Sequence, residues 1–330
     1  MLKRLAVSVV IPAYNEEDQI ASCLDSVFVT QYPDLEVIVV DDNSADRTAE
    51  VASRYSVRLI KRSKRGGIAA ARNDGIGIAH GDVVAFVDAD CEVNKDWLDL
   101  LTSHFTDDRI AGVGGIILTK KRGLLATYRS YKEREEFAEA GSPVEAENLP
   151  GGNSCYRSAI LREVGGFDPA FAQPRGHEYF ELGYRLRKKG YRLIGESRAI
   201  VWHGHEDSLT GMIKSAYGAG FSAMSFLFRY KMRELRVIQL KQIAFIAFLI
   251  LLALTLLGAI PSLITTILAA GLFSYETLRA ALIVGEVAAH YRNSKYIVLL
   301  PLEILLRFVL YAAYVIGLLN SLYRVLVRPS

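Results

Sequence analysis

Val83-Val84-Ala85-Phe86-Val87-Asp88-Ala89-Asp90-Cys91-Glu92 sets five apolar residues directly before two carboxylates spaced by one alanine, with a third acid at the same spacing again. A continuous apolar run of this length reads as a strand buried on both faces, the state of a central strand in a parallel sheet. If the extended backbone continues, alternation puts Asp88, Asp90 and Glu92 on one side. Gathering acids at the carboxyl end of a buried strand is costly unless a cation or ligand lies between them. In open α/β sheets that is the end where ligands bind. A hard divalent ion such as Mg²⁺ or Mn²⁺ prefers carboxylate oxygens and often bridges protein to phosphates. The alternative is a strand that ends in a solvated acidic turn, the commoner meaning of an isolated Asp-x-Asp.

The flanking segments repeat the pattern. Residues 5–11 read as a strand closed by Pro12-Ala13-Tyr14-Asn15, and Asn15 is placed to cap a helix from Glu16 whose buried face carries Ile20, Cys23, Leu24 and Val27. Residues 35–40 form a second apolar strand, also ending in acids, Asp41-Asp42. A helix over 46–55 leads to a short strand at 57–60. A basic, glycine-rich loop, Lys61-Arg62-Ser63-Lys64-Arg65-Gly66-Gly67, precedes a helix over 68–79. This alternation predicts a largely parallel sheet with helices on both faces. Three strand ends then bring polar groups to one sheet edge, where the paired glycines and Arg72 add donors for phosphate. Acids for base, ribose and metal with cations for diphosphate fit a nucleotide-diphosphate pocket. Neither G-x-G-x-x-G after the first strand nor G-x-x-x-x-G-K-[ST] is present, which argues against an NAD enzyme and a P-loop NTPase.

The bulk properties set bounds. A chain of 330 residues holds one α/β domain and a further module. A net charge of +3 gives no case for nucleic acid. Cys23, Cys91 and Cys155 are odd in number and scattered, which indicates a reduced, cytoplasmic domain. The apolar start ends at Pro12 without a small-residue cleavage site, and reads as a strand rather than a signal peptide.

Four segments in order, VSVVIPAYNEE (7–17), VVDDNSADRT (39–48), GGIAAARNDG (66–75) and FVDAD (86–90), closely resemble the family-2 inverting glycosyltransferases of GT-A fold. The resemblance continues through GGNSCYR (151–157), GGFD (165–168) and EYFELGYRL (178–186), and covers roughly residues 5–205. It implies that Pro12, Ala13, Tyr14, Glu16, Asp41 and Asp42 hold the nucleoside, with Gly67, Arg72, Asp88 and Ala89 completing the nucleotide-sugar site. It implies metal at Asp88 and Asp90, with Glu92 as a further ligand by spacing and His203 completing the set (His205 second). It also places the transferred sugar or its acceptor beside Gly152, Asn153, Arg157 and Glu181.

An inverting transfer needs in-line attack, a stabilised diphosphate and a base for the acceptor hydroxyl. The metal on Asp90 and the cation Arg72 would stabilise the diphosphate. Family members usually carry Glu-Asp where this chain has Glu178-Tyr179, so Glu178 becomes the expected base, with Glu181 second. The structural alternative for Glu178 is a first-turn acid on the helix that follows. A phosphate acceptor would need no base.

Beyond this domain (1–210) the chain changes character. Residues 211–242 combine a helical apolar stripe with Arg229, Lys231, Arg233, Arg236 and Lys241, an interfacial helix on the cytoplasmic side. Residues 243–273 carry no charge, and 297–319 form a further apolar stretch holding Glu303 and Arg307 one turn apart. A membrane region over 243–330 with two spans, or three, is expected. The layout is similar to dolichol-phosphate mannose synthases, which implies a multi-pass enzyme with its catalytic domain in the cytoplasm. Its donor would be a nucleotide-diphosphate sugar, and its acceptor a polyprenyl phosphate or lipid-linked glycan. The competing reading is a non-catalytic nucleotide-sugar sensor or scaffold, with Tyr179 the feature in its favour.

Overall fold

Strands β1 (Val7–Ala13), β2 (Leu35–Asp41), β3 (Arg58–Lys61) and β4 (Val83–Val87) lie parallel in the order β3-β2-β1-β4. Successive side chains of these strands enter two separate cores. Val7, Val9, Ile11, Val83, Ala85 and Val87 pack on one face; Val10, Ile38, Val40, Val84 and Phe86 pack on the other. The first layer is covered by α1 (Ile20–Val29) and α4 (Trp97–Thr102), the second by α3 (Ile68–Ile78), α5 (Ser158–Glu163) and α6 (Glu178–Lys188). Burial on both faces is why these strands read as unbroken apolar runs. A short α2 (Thr48–Ala52) links β2 to β3.

The computed structural model describes residues 4–120, 143–171, 178–203 and 209–230, with single helical positions at 309, 312, 313, 315, 316 and 320. The chain divides into two units, Met1–Asp207 and Ser208–Ser330. In the first unit the sheet continues from β4 through β8 (Asn153–Arg157), β6 (Ile110–Thr119), β9 (Arg192–His203) and β5 (Cys91–Val93), with β7 (Val144–Glu145) paired to β9. The largely parallel sheet expected from the sequence is therefore corrected to a mixed one: β8 runs antiparallel to both β4 and β6, and β5 and β7 run antiparallel to β9. The cause is where the chain enters. β8 begins where β4 ends, with Asn153 opposite Val87, and must run back along it to Arg157 opposite Val83.

Two local expectations also change. The helix expected from Glu16 begins at Ile20. The amides of Glu16 and Glu17 are drawn instead to Thr48 Oγ1 (2.7 Å) and Asp46 Oδ2 (3.1 Å) of the loop after β2. Asn15, at φ 55°, caps no helix; its Oδ1 accepts from the Ala45 amide at 2.8 Å. Second, β1 runs through Pro12 to Ala13. β4 pairs with β1 only as far as Val10, so the missing N–H of Pro12 lies beyond that pairing.

In the second unit, α7 (Leu209–Tyr230) spans 22 residues and ends with Arg229 in its last turn. No helix among the described residues is long and apolar enough to cross a membrane. The expected span over 243–273 and the basic positions Lys231, Arg233, Arg236 and Lys241 lie outside the described residues. So do Glu303 and Arg307, and the span over 297–319 apart from the single positions given above.

Candidate active site

The site is built at the carboxyl ends of β1, β2 and β4. Asp88 and Ala89 do not continue the strand: the Cys91 amide donates to the Asp88 carbonyl at 3.0 Å, closing a turn before β5. That turn separates three acids that strict alternation would have aligned. Asp88 accepts from Arg72 Nη2 at 2.8 Å, Asp90 lies 3.3 Å from His203 Nε2, and Glu92 pairs with Lys120. Glu92 thus parts from the expected ligand set: its carboxylate pairs with Lys120, the residue that follows β6, two strands away in the sheet.

His203 reaches Asp90 through sheet register. β5 and β9 are antiparallel with Cys91 opposite His203, which lays the last residue of β9 beside the Asp88–Asp90 turn. Among the described residues, Asp90, Cys91 and His203 form a cluster whose ligand atoms lie within 4.8 Å of one another. The Cys91 thiol donates to Asp90 Oδ1 at 3.2 Å, and burial together with Asp90 pushes its pKa well up. A hard divalent cation prefers oxygen and imidazole nitrogen to sulfur, so the donor set that suits it here is one carboxylate and one imidazole. Such a pair suits a divalent cation that takes its remaining ligands from water and phosphate oxygens. Asp88 stands outside this cluster, one of its oxygens being taken by Arg72.

Arg72 corrects a second expectation. Its side chain is 1% exposed and both of its Nη groups are taken by carboxylates of the chain. Nη1 donates to Glu178 Oε1 at 2.6 Å while Nη2 donates to Asp88, so one guanidinium joins the turn after β4 to the first residue of α6. Burial works against the charge on Arg72, but Asp88 and Glu178 outweigh it and hold its pKa above the usual value. Glu178 itself is 2% exposed, and burial pushes its pKa above the ordinary carboxylate range against the pull of Arg72. Its Oε2 is buried with no hydrogen-bond partner among the described residues. A buried carboxylate with one oxygen anchored and the other unpaired is arranged to accept a proton.

The loops after β1 and β2 are stitched into one platform. Besides the Asn15, Glu16 and Glu17 bonds above, the Asn15 amide donates to Ser44 Oγ at 3.0 Å, and the Ser44 amide to Asp41 Oδ1 at 3.2 Å. Glu16 Oε2 accepts from Gln19 Nε2 at 3.2 Å. Asp42 is buried. Its carboxylate accepts the amides of Gly66 (2.9 Å) and Gly67 (2.7 Å) and Arg62 Nη1 (2.5 Å). Those amides are therefore not free to cradle a phosphate. Asp42 folds the basic loop, and Gly67, at φ 87°, turns it into α3. The loop's Arg65 sits over the Tyr14 ring at 3.7 Å from its centroid, placing a cation at the nucleoside end of the site. Sequence reasoning missed this stack, and also the Lys120 partner of Glu92, since neither follows from spacing.

Of the residues expected near sugar or acceptor, only Gly152 lies at the site. A Cβ there would come within 2.4 Å of Asp88 Oδ2, so the backbone passes against that carboxylate as only glycine allows. Gly152→Ala is expected to displace Asp88 and raise the KM for donor about tenfold, measured by initial rates. The other three are corrections. Asn153 is fully buried as a structural hub: it accepts from Trp97 Nε1 (2.8 Å) and donates to the carbonyls of Ile116 (2.8 Å) and Ala199 (2.9 Å). Arg157 lies at the opposite end of the sheet, donating to the carbonyls of Ile110 and Phe105 (both 3.1 Å), because β8 runs back from the site. Glu181 is fully buried and holds Arg185 through both oxygens (2.6 and 2.7 Å), while Arg185 also binds the carbonyls of Val164 and Gly166. Asn153→Ala would strand one buried donor and two carbonyls. It is expected to cost about 3 kcal/mol in a denaturant titration.

Residues 8–165 match the family described as Glycosyl transferase family 2. The chain is 32% identical over 230 residues to the Pre-mycofactocin glycosyltransferase of Mycobacterium tuberculosis, covering 66% of this chain and 47% of that protein. It is 29% identical over 255 residues to the Probable glycosyltransferase YdaM of Bacillus subtilis, covering 70% and 60%. The chain thus spans less than two thirds of the length of these curated relatives. Among solved structures, the mannosyltransferase PcManGT from Pyrobaculum calidifontis, in complex with GDP-Man and Mn²⁺, superposes with a TM-score of 0.63 at 19% identity, covering 98% of this chain and 88% of that one.

Proposed function

From the match of residues 8–165 to Glycosyl transferase family 2 and a GT-A-like mixed sheet, we propose that the chain transfers a sugar, with inversion, from a nucleotide diphosphate to a lipid-carried acceptor. The observation that carries the reading is the bridge in which the buried Arg72 joins Asp88 to the buried Glu178, whose Oε2 is unpaired among the described residues. In this reading Asp88 and the stitched loops after β1 and β2 hold the donor. Glu178 Oε2 takes the proton of the acceptor hydroxyl as its oxygen bonds to the anomeric carbon and the bond from that carbon to the diphosphate breaks. Burial raises the carboxylate's proton affinity, which favours its accepting that proton. A Mg²⁺ or Mn²⁺ ion held by Asp90 and His203 would supply charge neutralisation at the departing diphosphate.

The acceptor is assigned from the C-terminal sequence. The charge-free run over 243–273 and the basic residues before it support a membrane-embedded module with the catalytic unit on the cytoplasmic side. A lipid-linked glycan, which offers a hydroxyl to the base, is the substrate class such a module would serve; a polyprenyl phosphate would need no base. The test incubates membranes carrying the full chain with labelled nucleotide-sugars and Mg²⁺ or Mn²⁺, then extracts lipid. Metal-dependent label in the lipid fraction, lost in Asp90→Asn and Glu178→Gln, is expected. Label transfer equal in wild type and both variants would overturn the enzyme reading in favour of a binding-only protein.

A further inference from the structure

Arg72 is one cation shared by two carboxylates of unequal exposure. The Asp88 side chain is 28% exposed at the end of β4, while that of Glu178 is 3% exposed. The guanidinium has little freedom. Its Cζ lies 5.3 Å from the Phe167 ring centroid and 6.0 Å from that of Phe86, and Gly151 passes so close that a Cβ would sit 2.9 Å from Nη1. Its Nε is buried and unpaired among the described residues, so the two Nη groups make the side-chain bonds that hold it. A ligand therefore displaces Arg72 from Asp88 more readily than from Glu178.

Resting on the reading of Glu178 as base, we propose that Arg72 is a positioning residue that couples the donor side of the site to the acceptor side. Donor groups that engage Asp88 release Arg72 to pair more fully with Glu178. Among the described residues, the charged groups facing Glu178 are Arg72 from α3 and Asp88 after β4, with the buried, neutral Tyr156 phenol from β8. Asp88 raises the proton affinity of Glu178 and Arg72 lowers it, so the exchange works in one direction. Donor binding favours the ionised carboxylate, the form that can accept a proton.

The consequence is a difference between two pH profiles. The acid limb of kcat/KM for donor reports free enzyme and that of kcat reports the occupied site. In wild type the kcat limb is expected about one pH unit below the kcat/KM limb. In Arg72→Gln the two limbs should coincide and move to higher pH, with kcat down about 10²-fold. A merely structural role would lower the amplitude of both profiles without moving either. Arg72→Lys keeps the charge but cannot hold both carboxylates as a fork, and serves if Arg72→Gln does not fold. It should lose the gap between the limbs; a retained gap with wild-type kcat overturns the proposal. Coincident limbs in wild type also overturn it. The underlying base assignment fails separately, if Glu178→Gln transfers sugar at the wild-type rate.

Discussion

Glu178→Gln is expected to lower the rate of sugar transfer to a hydroxyl acceptor by about 10²- to 10⁴-fold, the range a positioned general base supplies. The amide keeps the shape of the carboxylate, and its oxygen can still accept from Arg72 Nη1 where Glu178 Oε1 now does. What it loses is the unpaired Oε2 that takes the proton. The fold should not suffer. Burial raises the proton affinity of Glu178, so the protonated form is the one that suits the folded chain. Its contribution to stability is present below the ordinary carboxylate range and lost as pH rises through the raised value. At neutral pH the substitution therefore removes a burial cost, and thermal melting should show a midpoint no lower than wild type. For wild type the same raised value means that transfer falls as pH drops through it, because the base becomes protonated. A substitution that lowered rate and melting midpoint together would point to a structural role for Glu178.

Asp90→Asn is expected to be nearly as severe, about 10²- to 10³-fold in transfer rate, the effect of removing one group that stabilises charge developing in the transition state. His203→Ala, which removes the second donor of the cluster, should raise the Mn²⁺ concentration needed for half-maximal rate more than it lowers the rate at saturating metal. Glu92→Gln provides the contrast. Its carboxylate pairs with Lys120 on the surface of the sheet, so metal titration should be unchanged. If Glu92→Gln and His203→Ala shifted the metal requirement equally, the donor set assigned to Asp90 and His203 would be wrong. These measurements read metal binding through its concentration dependence and leave the question of the base to Glu178.

The strands and their order of appearance were legible because parallel strands buried on both faces must be apolar throughout, and residues 37–40 and 83–87 show it without ambiguity. So were the acids at their ends, since a carboxylate following such a run stands out in any register. The direction of β8 was not legible. Its residues, NSCYR, carry no sign of whether they run with β4 or against it, and that direction removes Arg157 from the site. Alternation failed at Ala89 and Asp90 for a related reason. A single turn bond from the Cys91 amide to the Asp88 carbonyl breaks the period of two and sends Asp88, Asp90 and Glu92 to three different partners.

The chemistry at the site divides in the same way. Composition and order along the chain suffice for a mixed set of acids, glycines and arginines at strand ends, because local patterns of apolar burial dictate where those ends fall. Which carboxylate holds a loop, which faces a cation and which keeps an unpaired oxygen depends on contacts between residues far apart in the chain, such as Arg72 with Glu178 and Asp42 with Gly67. Each acid has the same intrinsic proton affinity and the same donors within reach of some conformation. Only packing removes water from Glu178 while leaving Asp88 part exposed, and that difference in solvation separates a proton acceptor from a ligand for the donor.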